Sequence, residues 1–561
     1  MCGIAGELGR GRSARAMIGA LTHRGPDGLR VEVQAGAELA HARLSIIDLE
    51  GGWQPLSAAG STVIGNGEIY NYLELARDFD LGGRLATGSD FEPLLHLYAQ
   101  EGAAAFARLR GMYAFCLIGQ DGRAWLARDP FGIKPLYILE HDQGLAFASE
   151  PRAFFAAGLV KPELAPGAAD ELIAFNYTLS PIFKGLRRLA PGEVVEVGDG
   201  RVVSSEVRRP LRPRRDAGGD ERELLDRLDA VLEDSVAVHQ RSDVPYGLFL
   251  SGGIDSAAIA TLMARLNARP VTAYTCGFDA PGARDERAQA ERVARALDLD
   301  WRETGFGEAE FWRILPQVAW AQDDPTADYA TLPTWRLAEA AKGTLTVVLT
   351  GEGGDELFGG YGRYRRALRP AWLGGRPAEP RPEDPGVLAR WRAAARAPAG
   401  LTRLQAAQWA DVATWLPNDL LLKLDRCLMA HGLEGRTPFL DREVAAFSFP
   451  LPDRFKVRGR YGKWILRKWL ERTCPAAEPW ARKQGFTVPV DAWIAPRAAE
   501  IAGRIGEVEA IRRVVGPDAG ARFTAADDGG RWPLLFFAIW SLIHLQGASP
   551  HDALETVAGK I

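Results

Sequence analysis

The segment VPYGLFLSGGIDSAAIATLMARL, residues 244–266, joins two apolar runs through a glycine-rich turn. The first run is short and uniformly apolar, which is typical of a strand buried in a parallel sheet. The second is long enough for a helix, so the backbone amides of residues 251–256 are predicted to face an anion at its N-terminus. Two serines and Asp255 in this turn suit pyrophosphate and its Mg²⁺. A glycine-rich helix start, capped by Asp255, is the structural alternative.

The chain around this segment alternates between strand and helix patterns. VTAYTCGF (271–278) precedes RAQAERVARAL (287–297), and LPTWRLAEAAK (332–342) precedes TLTVVLT (344–350). Such alternation predicts a parallel sheet with helices on its faces. A proline-rich stretch, about 368–398, interrupts the pattern and is predicted to be an exposed insertion. The most apolar run, 534–545, is too short to span a membrane and is predicted to be a buried helix.

A second glycine-rich loop, GEGGDELFGGY (351–361), follows the apolar run 344–350. It places Glu352, Asp355 and Glu356 at the carboxyl end of a predicted strand, where ligands bind in open α/β sheets. Glycines at this density indicate close backbone approach. We expect Asp255 and Asp355 to share a magnesium ion, and a solvated acidic turn is the alternative.

The first 200 residues have a different pattern. AELAHARLSIID (37–48), STVIGNGEIYN (61–71) and MYAFCLIGQDGRAWLARD (112–129) alternate with period two and contain turn residues, so they predict strands and a hairpin. Residues 91–106 carry apolar positions at helical spacing, which makes this half a mixed one. Residues 206–220 are rich in Arg, Pro and Gly and predict a linker.

Composition excludes several classes of protein. With 561 residues, 47% of them hydrophobic, the chain is predicted to fold into at least two globular domains. Its 68 basic against 72 acidic residues leave no electrostatic footprint for nucleic acid or for an anionic membrane. The five scattered cysteines predict neither disulfides nor a zinc site and indicate a reducing cytoplasm. The first 30 residues contain no signal-peptide pattern.

Cys2 is a candidate nucleophile. Removal of Met1 would leave its thiol beside a free α-amino group, and the reference pKa values of about 8.5 and about 8 allow that amine to act as its base. Taken alone, a cysteine at position 2 is most often an inert small residue.

Ten motifs together resemble a known family. MCGIAG (1–6), HRGPDG (23–28), RLSIID (43–48), NGEIYNY (66–72), GSDFE (88–92) and RDPFGIKPLY (128–137) resemble the glutaminase domain of class II glutamine amidotransferases. SGGIDS, GEGGDELFGGY, EGRTPFLD (434–441) and RKQGF (482–486) resemble the synthetase domain of glutamine-hydrolysing asparagine synthetases. The resemblance covers nearly the whole chain and implies an α/β multidomain fold. An N-terminal nucleophile αββα sandwich at 2–207 would be followed by a linker at 208–220 and a parallel-sheet ATP-pyrophosphatase domain at 221–561.

The resemblance also assigns roles in the first domain. Cys2 would attack the side-chain amide of glutamine, and Asn66 and Gly67 would form the oxyanion hole. Arg43 would bind the glutamine carboxylate, whereas Glu68 and Asp90 would face its ammonium group. The rest of the RLSIID loop, Leu44, Ser45, Ile46 and Ile47, would complete the glutamine site.

In the second domain the resemblance implies that ATP adenylates a carboxylate, which ammonia then amidates. Glu352 and Lys483 would support adenylation, and Asp255 and Asp355 would hold Mg²⁺. The remaining positions implied for ATP and pyrophosphate are Leu250, Ser251, Gly252, Gly253, Ser256, Cys276, Thr350 and Gly351. Ammonia would pass between the domains through an internal tunnel, and Arg426, Glu434 and Arg436 are candidates for the domain junction. A homodimer is left open.

The identity of the carboxylate acceptor is the part of the predicted function that the sequence determines least. Residues 323–335, DDPTADYATLPTW, depart from the family's usual pattern near the expected acceptor site. Aspartate is favoured, and Gln322, Asp323, Asp324 and Asp328 could supply some of its polar partners. Three alternatives stay open. The acceptor could be another carboxylate, the protein could be a pyrophosphatase-loop enzyme that adenylates a nucleobase carbonyl, or it could be a degenerate relative that acts as a scaffold without activity.

Overall fold

The computed structural model describes residues 2–34, 36–213, 218–279, 285–373, 375, 379–380, 382, 384–482, 488–526 and 530–560. Its strands, in chain order, are β1 Gly3–Gly9, β2 Gly28–Gln34, β3 Ala37–Arg43, β4 Leu56–Ala58, β5 Ser61–Ile69, β6 Gly111–Ile118, β7 Ala124–Arg128, β8 Tyr137–His141, β9 Gly144–Ala148, β10 Arg187–Arg188, β11 Glu193–Gly198, β12 Arg201–Val207, β13 Tyr246–Phe249, β14 Thr272–Phe278, β15 Asp300–Phe306, β16 Val347–Leu349, β17 Glu434–Arg436, β18 Val457–Arg458 and β19 Tyr461–Gly462.

The α-helices are α1 Ala14–Gly19, α2 Tyr72–Asp78, α3 Glu92–Glu101, α4 Arg152–Ala156, α5 Ala168–Phe175, α6 Glu221–His239, α7 Ile254–Leu266, α8 Arg287–Ala296, α9 Glu308–Ala321, α10 Thr331–Ala341, α11 Gly354–Phe358, α12 Gly362–Ala367, α13 Pro385–Ala394, α14 Arg403–Ala413, α15 Leu421–Met429, α16 Arg442–Ser448, α17 Asp453–Lys456, α18 Trp464–Thr473, α19 Val490–Ile494, α20 Ala498–Ile505, α21 Glu509–Val515, α22 Ala519–Ala525, α23 Arg531–Gln546 and α24 Pro550–Ala558. A π-helical turn, Leu416–Leu420, leads into α15.

The N-terminal half contains two antiparallel six-stranded sheets, in the orders β10-β8-β9-β1-β3-β2 and β12-β11-β7-β6-β5-β4. Their facing sides share one apolar core, in which Ile4 and Leu39 of the first sheet join Ile64 and Leu126 of the second. Helices α2 and α3 cover the outer face of the second sheet, and α1 and α4 pack outside the first. The predicted αββα sandwich is therefore confirmed.

The C-terminal half is built on a parallel sheet in the order β15-β14-β13-β16-β17. Strand β13 is central, and both glycine-rich loops follow neighbouring strands, β13 and β16. The carboxyl ends of adjacent parallel strands lie at the same sheet edge, so this topology brings the two loops together. The predicted parallel-sheet domain is confirmed.

Two features of the C-terminal half complete the fold. The apolar run 534–545 lies in the buried helix α23, as predicted, and no helix in the described part of the chain is long and apolar enough to cross a membrane. The proline-rich stretch is only partly the exposed insertion predicted. Within it, α13 buries Val387 and Trp391 against Phe175 and Tyr177 of the N-terminal half, because these apolar side chains find a complementary surface there.

Candidate active sites

Cys2 lies at the start of β1, buried between the two halves of the molecule. Its side chain is 8% exposed, its backbone nitrogen donates to Asn66 Oδ1 at 3.2 Å, and its Sγ lies 3.9 Å from the Leu44 carbonyl oxygen. Burial raises the pKa of the Cys2 thiol. A neighbouring base is therefore needed to form a thiolate at neutral pH. Met1 lies outside the described residues.

Asn66 and Gly67 lie on β5 beside this thiol. Asn66 Nδ2 is buried and has no hydrogen-bond partner among the described residues, so its donor is available to a ligand. Gly67 has a φ of +138°, and a Cβ at this position would lie 2.0 Å from the Met112 carbonyl oxygen. Only glycine fits there. Within the described part of the chain, Asn66 therefore has a donor without a partner next to Cys2, and the oxyanion hole of Asn66 and Gly67 stays a prediction.

Glu68, near the end of β5, and Asp90 form a buried acidic pair. Burial raises the pKa of Asp90 to about 7, although its Oδ2 accepts a hydrogen bond from the Ile69 amide at 2.8 Å. Burial and the Asp90 charge raise the pKa of Glu68 well above its usual range, and Glu68 Oε1 has no hydrogen-bond partner among the described residues. A bound cation would relieve this repulsion, which suits the ammonium group of glutamine.

Arg43 ends β3 and is almost fully buried. Its guanidinium donates to the carbonyl oxygens of Asp48 at 2.6 Å and Leu49 at 2.9 Å and lies over the Trp53 ring. These two acceptors are neutral carbonyl groups, although the charges of Asp48 and Asp27 also act on the guanidinium. Leu44, Ser45, Ile46 and Ile47 continue as the loop after β3. The Leu44 carbonyl faces the Cys2 thiol, and the Ser45 amide donates to Asp27 Oδ2 at 2.7 Å.

A residue of the C-terminal half reaches this site. The fully buried guanidinium of Arg436, on β17, lies 3.3 Å from Glu68 Oε2 and 2.5 Å from Glu434 Oε1. Its backbone carbonyl accepts a hydrogen bond from the Thr350 amide at 2.9 Å, at the start of the second glycine-rich loop. Arg436 therefore touches both predicted sites, as its candidacy for the domain junction implied.

Arg426, the third candidate for the junction, belongs to a buried ion network there. Its guanidinium contacts Asp323 at 3.0 Å and Glu150 at 3.5 Å, and Arg24 bridges Glu150 and Asp425 at 2.8 Å each. The Arg426–Glu150 and Arg24–Asp425 pairs join the two halves.

The SGGIDS turn, Ser251–Ser256, is closed by its own hydroxyl groups. Ser251 Oγ lies 2.9 Å from Ser256 Oγ and accepts a hydrogen bond from the Gly253 amide at 3.1 Å. The Gly252 amide donates to a carboxylate oxygen of Glu286 at 3.1 Å, so this amide already binds an anion. Helix α7 begins directly after the turn. The loop has the predicted form of an anion site at a helix N-terminus.

The two glycine-rich loops touch at Asp255. A Cβ added to Gly354 would lie 2.6 Å from Asp255 Oδ1, and one added to Gly351 would lie 3.0 Å from the Ser256 nitrogen. The sequence did not point to Lys463, whose buried ammonium pairs with Asp255 and lies 2.8 Å from Asp355 Oδ1. Lys463 directly precedes α18 and has a φ of +54°. It is far from both glycine-rich loops in the sequence, and no motif identifies it.

The carboxylates of Asp255 and Asp355 therefore face one point, as a shared cation requires. Among the described residues no three His, Cys, Asp or Glu side chains form a metal cluster. Two carboxylates still fit Mg²⁺, which is usually bound by one or two carboxylates together with phosphate oxygens.

The remaining predicted nucleotide positions line the same sheet edge. Leu250 and Cys276 are buried at the ends of β13 and β14, and the Leu250 amide donates to the Tyr274 carbonyl at 2.9 Å. Thr350 ends β16 next to Gly351. Glu356, in contrast, turns inward and accepts a hydrogen bond from the Tyr361 hydroxyl at 2.6 Å. Its role in the loop is structural.

Comparison with known proteins agrees with this arrangement. A sequence profile described as "Asparagine synthase" matches residues 227–542, and one described as "Glutamine amidotransferase domain" matches residues 1–207. A putative asparagine synthetase [glutamine-hydrolyzing] of Mycobacterium tuberculosis H37Rv is 33% identical over 94% of this chain and 93% of its own length. The chain belongs to the asparagine synthase family.

Two further relatives of this family are similar along most of their length. Asparagine synthetase [glutamine-hydrolyzing] 1 of Bacillus subtilis is 30% identical over 97% of both chains. Asparagine synthetase B [glutamine-hydrolyzing] of Escherichia coli is 30% identical over 84% of this chain and 78% of its own. The predicted ligase, with glutamine amidotransferase and asparagine synthase domains, is confirmed.

Most of the polar residues expected to contact an acceptor have other partners in the structure. Asp323 pairs with Arg426, and Asp324 pairs with Arg188 and accepts from the Tyr137 hydroxyl at 2.8 Å. The Gln322 amide nitrogen contacts the Cys427 sulfur at 3.6 Å. Asp323 and Asp324 therefore stabilise the junction and are not free to bind an acceptor, contrary to expectation.

Asp328 is the member of this set that faces the nucleotide site. It pairs with Lys423 of α15 at 2.9 Å. Burial raises the pKa of Glu352, the Lys423 charge opposes that rise and the Asp328 charge adds to it, so the three groups lie near one another. Lys423 supplies the cation that residues 323–335 lack. Lys483, predicted to neutralise phosphate charge, lies outside the described residues.

Proposed function

We propose that this protein is a glutamine-dependent asparagine synthetase that amidates the side-chain carboxylate of aspartate. Glutamine, ATP and aspartate would give asparagine, glutamate, AMP and pyrophosphate. Support comes from family membership, from the buried thiol beside an available amide donor, and from the two loops that meet at Asp255.

The first half would release ammonia. Cys2 Sγ attacks the amide carbon of glutamine, and the α-amino group freed by removal of Met1 takes the thiol proton. Asn66 Nδ2 and the Gly67 amide stabilise the developing oxyanion, which contributes on the order of 10²–10³ in rate. Ammonia leaves, and water then hydrolyses the thioester to glutamate. Arg43 holds the glutamine carboxylate while Glu68 and Asp90 hold its ammonium group.

The second half would activate the acceptor. A carboxylate oxygen of aspartate attacks the α-phosphorus of ATP, and the bond to pyrophosphate breaks. The amides and hydroxyls of residues 251–256 hold the departing pyrophosphate, and Leu250, Cys276, Thr350 and Gly351 line the nucleoside side. Glu352 lies where the acyl-adenylate forms. Ammonia then attacks the activated carbon, and AMP leaves.

Asp255 and Asp355 would hold Mg²⁺ against the phosphates, and this ion supplies charge neutralisation for the leaving pyrophosphate. In the structure Lys463 neutralises both carboxylates. Its three donors make it a further contact for phosphate oxygens once the ion binds.

We place the glutaminase domain at 2–207, the linker at 208–220 and the synthetase domain at 221–561. Ammonia must stay unprotonated between the two sites, so it would cross the buried junction without entering bulk water. Five buried cysteines, none in a disulfide, suit a reducing, cytoplasmic setting.

The observation that supports the proposal most strongly is that the two glycine-rich loops meet at Asp255. Their meeting gives a site suited to a nucleotide, and the other half of the same chain buries the Cys2 thiol. The test is a panel of acids with ATP, Mg²⁺ and glutamine, with AMP release and product mass as readouts. Aspartate-dependent AMP release with formation of asparagine is expected. A preference of about tenfold or more for another acid would reject aspartate but retain the mechanism.

A further inference from the structure

Asp419 is a buried carboxylate that the proposed chemistry does not use. It lies in the π-helical turn Leu416–Leu420 and is 0% exposed, and neither of its side-chain oxygens has a hydrogen-bond partner among the described residues. A buried carboxylate without a partner costs several kcal/mol of stability, so such groups are rare outside functional sites. Single π-turns are likewise concentrated at functional sites.

The surroundings of Asp419 identify what it could bind. Burial raises its pKa well above the usual range, as do the charges of Asp328 and Glu352, and the Lys423 charge opposes the rise. Asp419 also lies four residues before Lys423, where the π-helical turn continues directly into α15, and this places it beside the Lys423–Asp328 pair. Lys423 is already paired with Asp328, which leaves the Asp419 carboxylate without a cation of its own.

An ammonium group of the acceptor is the cation that suits Asp419 and Asp328 together. An ammonium group extends its three donors over a wider shell and can reach carboxylates that do not share one coordination sphere. The Lys423 ammonium also has three donors, so it can keep Asp328 and still donate to a carboxylate of the ligand.

We infer that Asp419, with Asp328, binds the α-ammonium group of an amino-acid acceptor, and that Lys423 binds its α-carboxylate. This inference rests on the proposed function and assigns the residues that recognise the α-ammonium and α-carboxylate groups of the acceptor. The second carboxylate is the one presented at Glu352 for adenylation. Acids without an amino group are rejected because they leave the buried Asp419 unpaired.

Two analogues separate these contacts. Succinate is aspartate without the α-ammonium group, and β-alanine is aspartate without the α-carboxylate. Pyrophosphate release is measured with saturating ammonia in place of glutamine, so that the first site does not contribute. For the unaltered protein, kcat/KM should be at least about a hundredfold lower for each analogue than for aspartate, since sites built around polar contacts reject analogues that lack them.

The variants are Asp419→Asn and Lys423→Gln. Asp419→Asn should lower the aspartate-to-succinate ratio of kcat/KM at least about tenfold, and Lys423→Gln should lower the aspartate-to-β-alanine ratio similarly. Because Asp419 has no partner to lose, Asp419→Asn should unfold at the same temperature as the unaltered protein or higher. The matched control is Asp491→Asn. Asp491 is a partly buried acid of α19 that pairs with Arg531 of α23, and its replacement should leave both ratios unchanged.

An unchanged aspartate-to-succinate ratio in Asp419→Asn overturns the inference and leaves aspartate amidation standing. Equal use of succinate and aspartate by the unaltered protein overturns it as well. If aspartate releases no pyrophosphate while glutaminase activity is intact, the proposed acceptor is wrong. The panel of acids then tests the inference. A preference for an acid without an amino group overturns it, and a preference for an acid with an amino group supports it.

Discussion

Replacing Arg436 by lysine should weaken glutamine use and spare ammonia-driven synthesis. The guanidinium donates to four groups: Glu434 at 2.5 Å, the Arg241 carbonyl at 2.7 Å, the His239 carbonyl at 2.8 Å and Glu68 at 3.3 Å. A lysine keeps the charge but cannot span these acceptors with one planar fork. Full removal of the charge would take the guanidinium away from two buried carboxylates, Glu434 and Glu68, at a cost of roughly 3–5 kcal/mol, so lysine is the informative change.

The magnitude follows from the contact with Glu68. One hydrogen bond to a charged group contributes about 1.5–3 kcal/mol, and about 1.4 kcal/mol corresponds to a tenfold change in binding. The KM for glutamine should therefore rise about tenfold or more. The link from Arg436 to Thr350 uses the backbone carbonyl and survives, so synthesis with ammonia should stay within about twofold.

The assay compares glutamate release and AMP release with glutamine or ammonia as nitrogen donor. Arg442→Lys is the matched control, because this arginine also crosses the junction, donating to the Arg108 carbonyl at 3.0 Å, but touches no predicted glutamine-site residue. Equal loss of both activities in Arg436→Lys would show a purely structural role. An unchanged glutamine KM would refute the importance of the contact with Glu68.

Three further changes separate the parts of the account. Cys2→Ala should reduce glutamine-dependent turnover by at least about a thousandfold and leave ammonia-dependent synthesis intact, because the thiol acts only in the first half; retained glutamine turnover would reveal another nucleophile. Asp255→Asn should reduce pyrophosphate release by at least about a hundredfold with glutaminase activity preserved, and release of ADP instead would contradict the loop assignment. Burial and then the Arg43 charge lower the pKa of His41 from 6.5 to about 3. Below pH 6.5 the unfolded chain therefore binds a proton that the folded chain does not, so the free energy of unfolding decreases as the pH decreases. His41 should lower the free energy of unfolding by about 2 kcal/mol when the pH is changed from 7 to 5. Urea unfolding of His41→Gln at the two pH values should show a decrease smaller by that amount, and an equal decrease in both proteins would contradict the pKa shift.

Local patterns in the sequence predicted the elements around the two loops well. The runs at 244–250 and 344–350 are mostly apolar because the middle of β13 and all of β16 are buried, and glycines mark where the loop backbones meet Asp255. The αββα sandwich was predicted by family resemblance, since alternation shows strands but not how two sheets stack. Helix α13 was missed because its partners, Phe175 and Tyr177, are about 200 residues away.

Long-range partners decide what the sequence could not show about the sites. Asp323, Asp324 and Asp328 look alike as neighbouring acids, yet the first two pair with arginines at the junction and the third faces the nucleotide site. Lys423 lies in α15, Lys463 directly precedes α18, and neither carries a motif of its own. Their contribution depends on tertiary contacts that a single sequence does not encode locally.

Transfer of ¹⁸O from the acceptor carboxylate tests the central claim most directly. The protein is incubated with glutamine, ATP, Mg²⁺ and aspartate labelled with ¹⁸O in its side-chain carboxylate, and the products are analysed by mass spectrometry. Attack of that carboxylate on the α-phosphorus predicts asparagine together with AMP that carries one ¹⁸O, and unlabelled pyrophosphate. Unlabelled AMP, or ¹⁸O in inorganic phosphate together with ADP, would contradict an acyl-adenylate of aspartate.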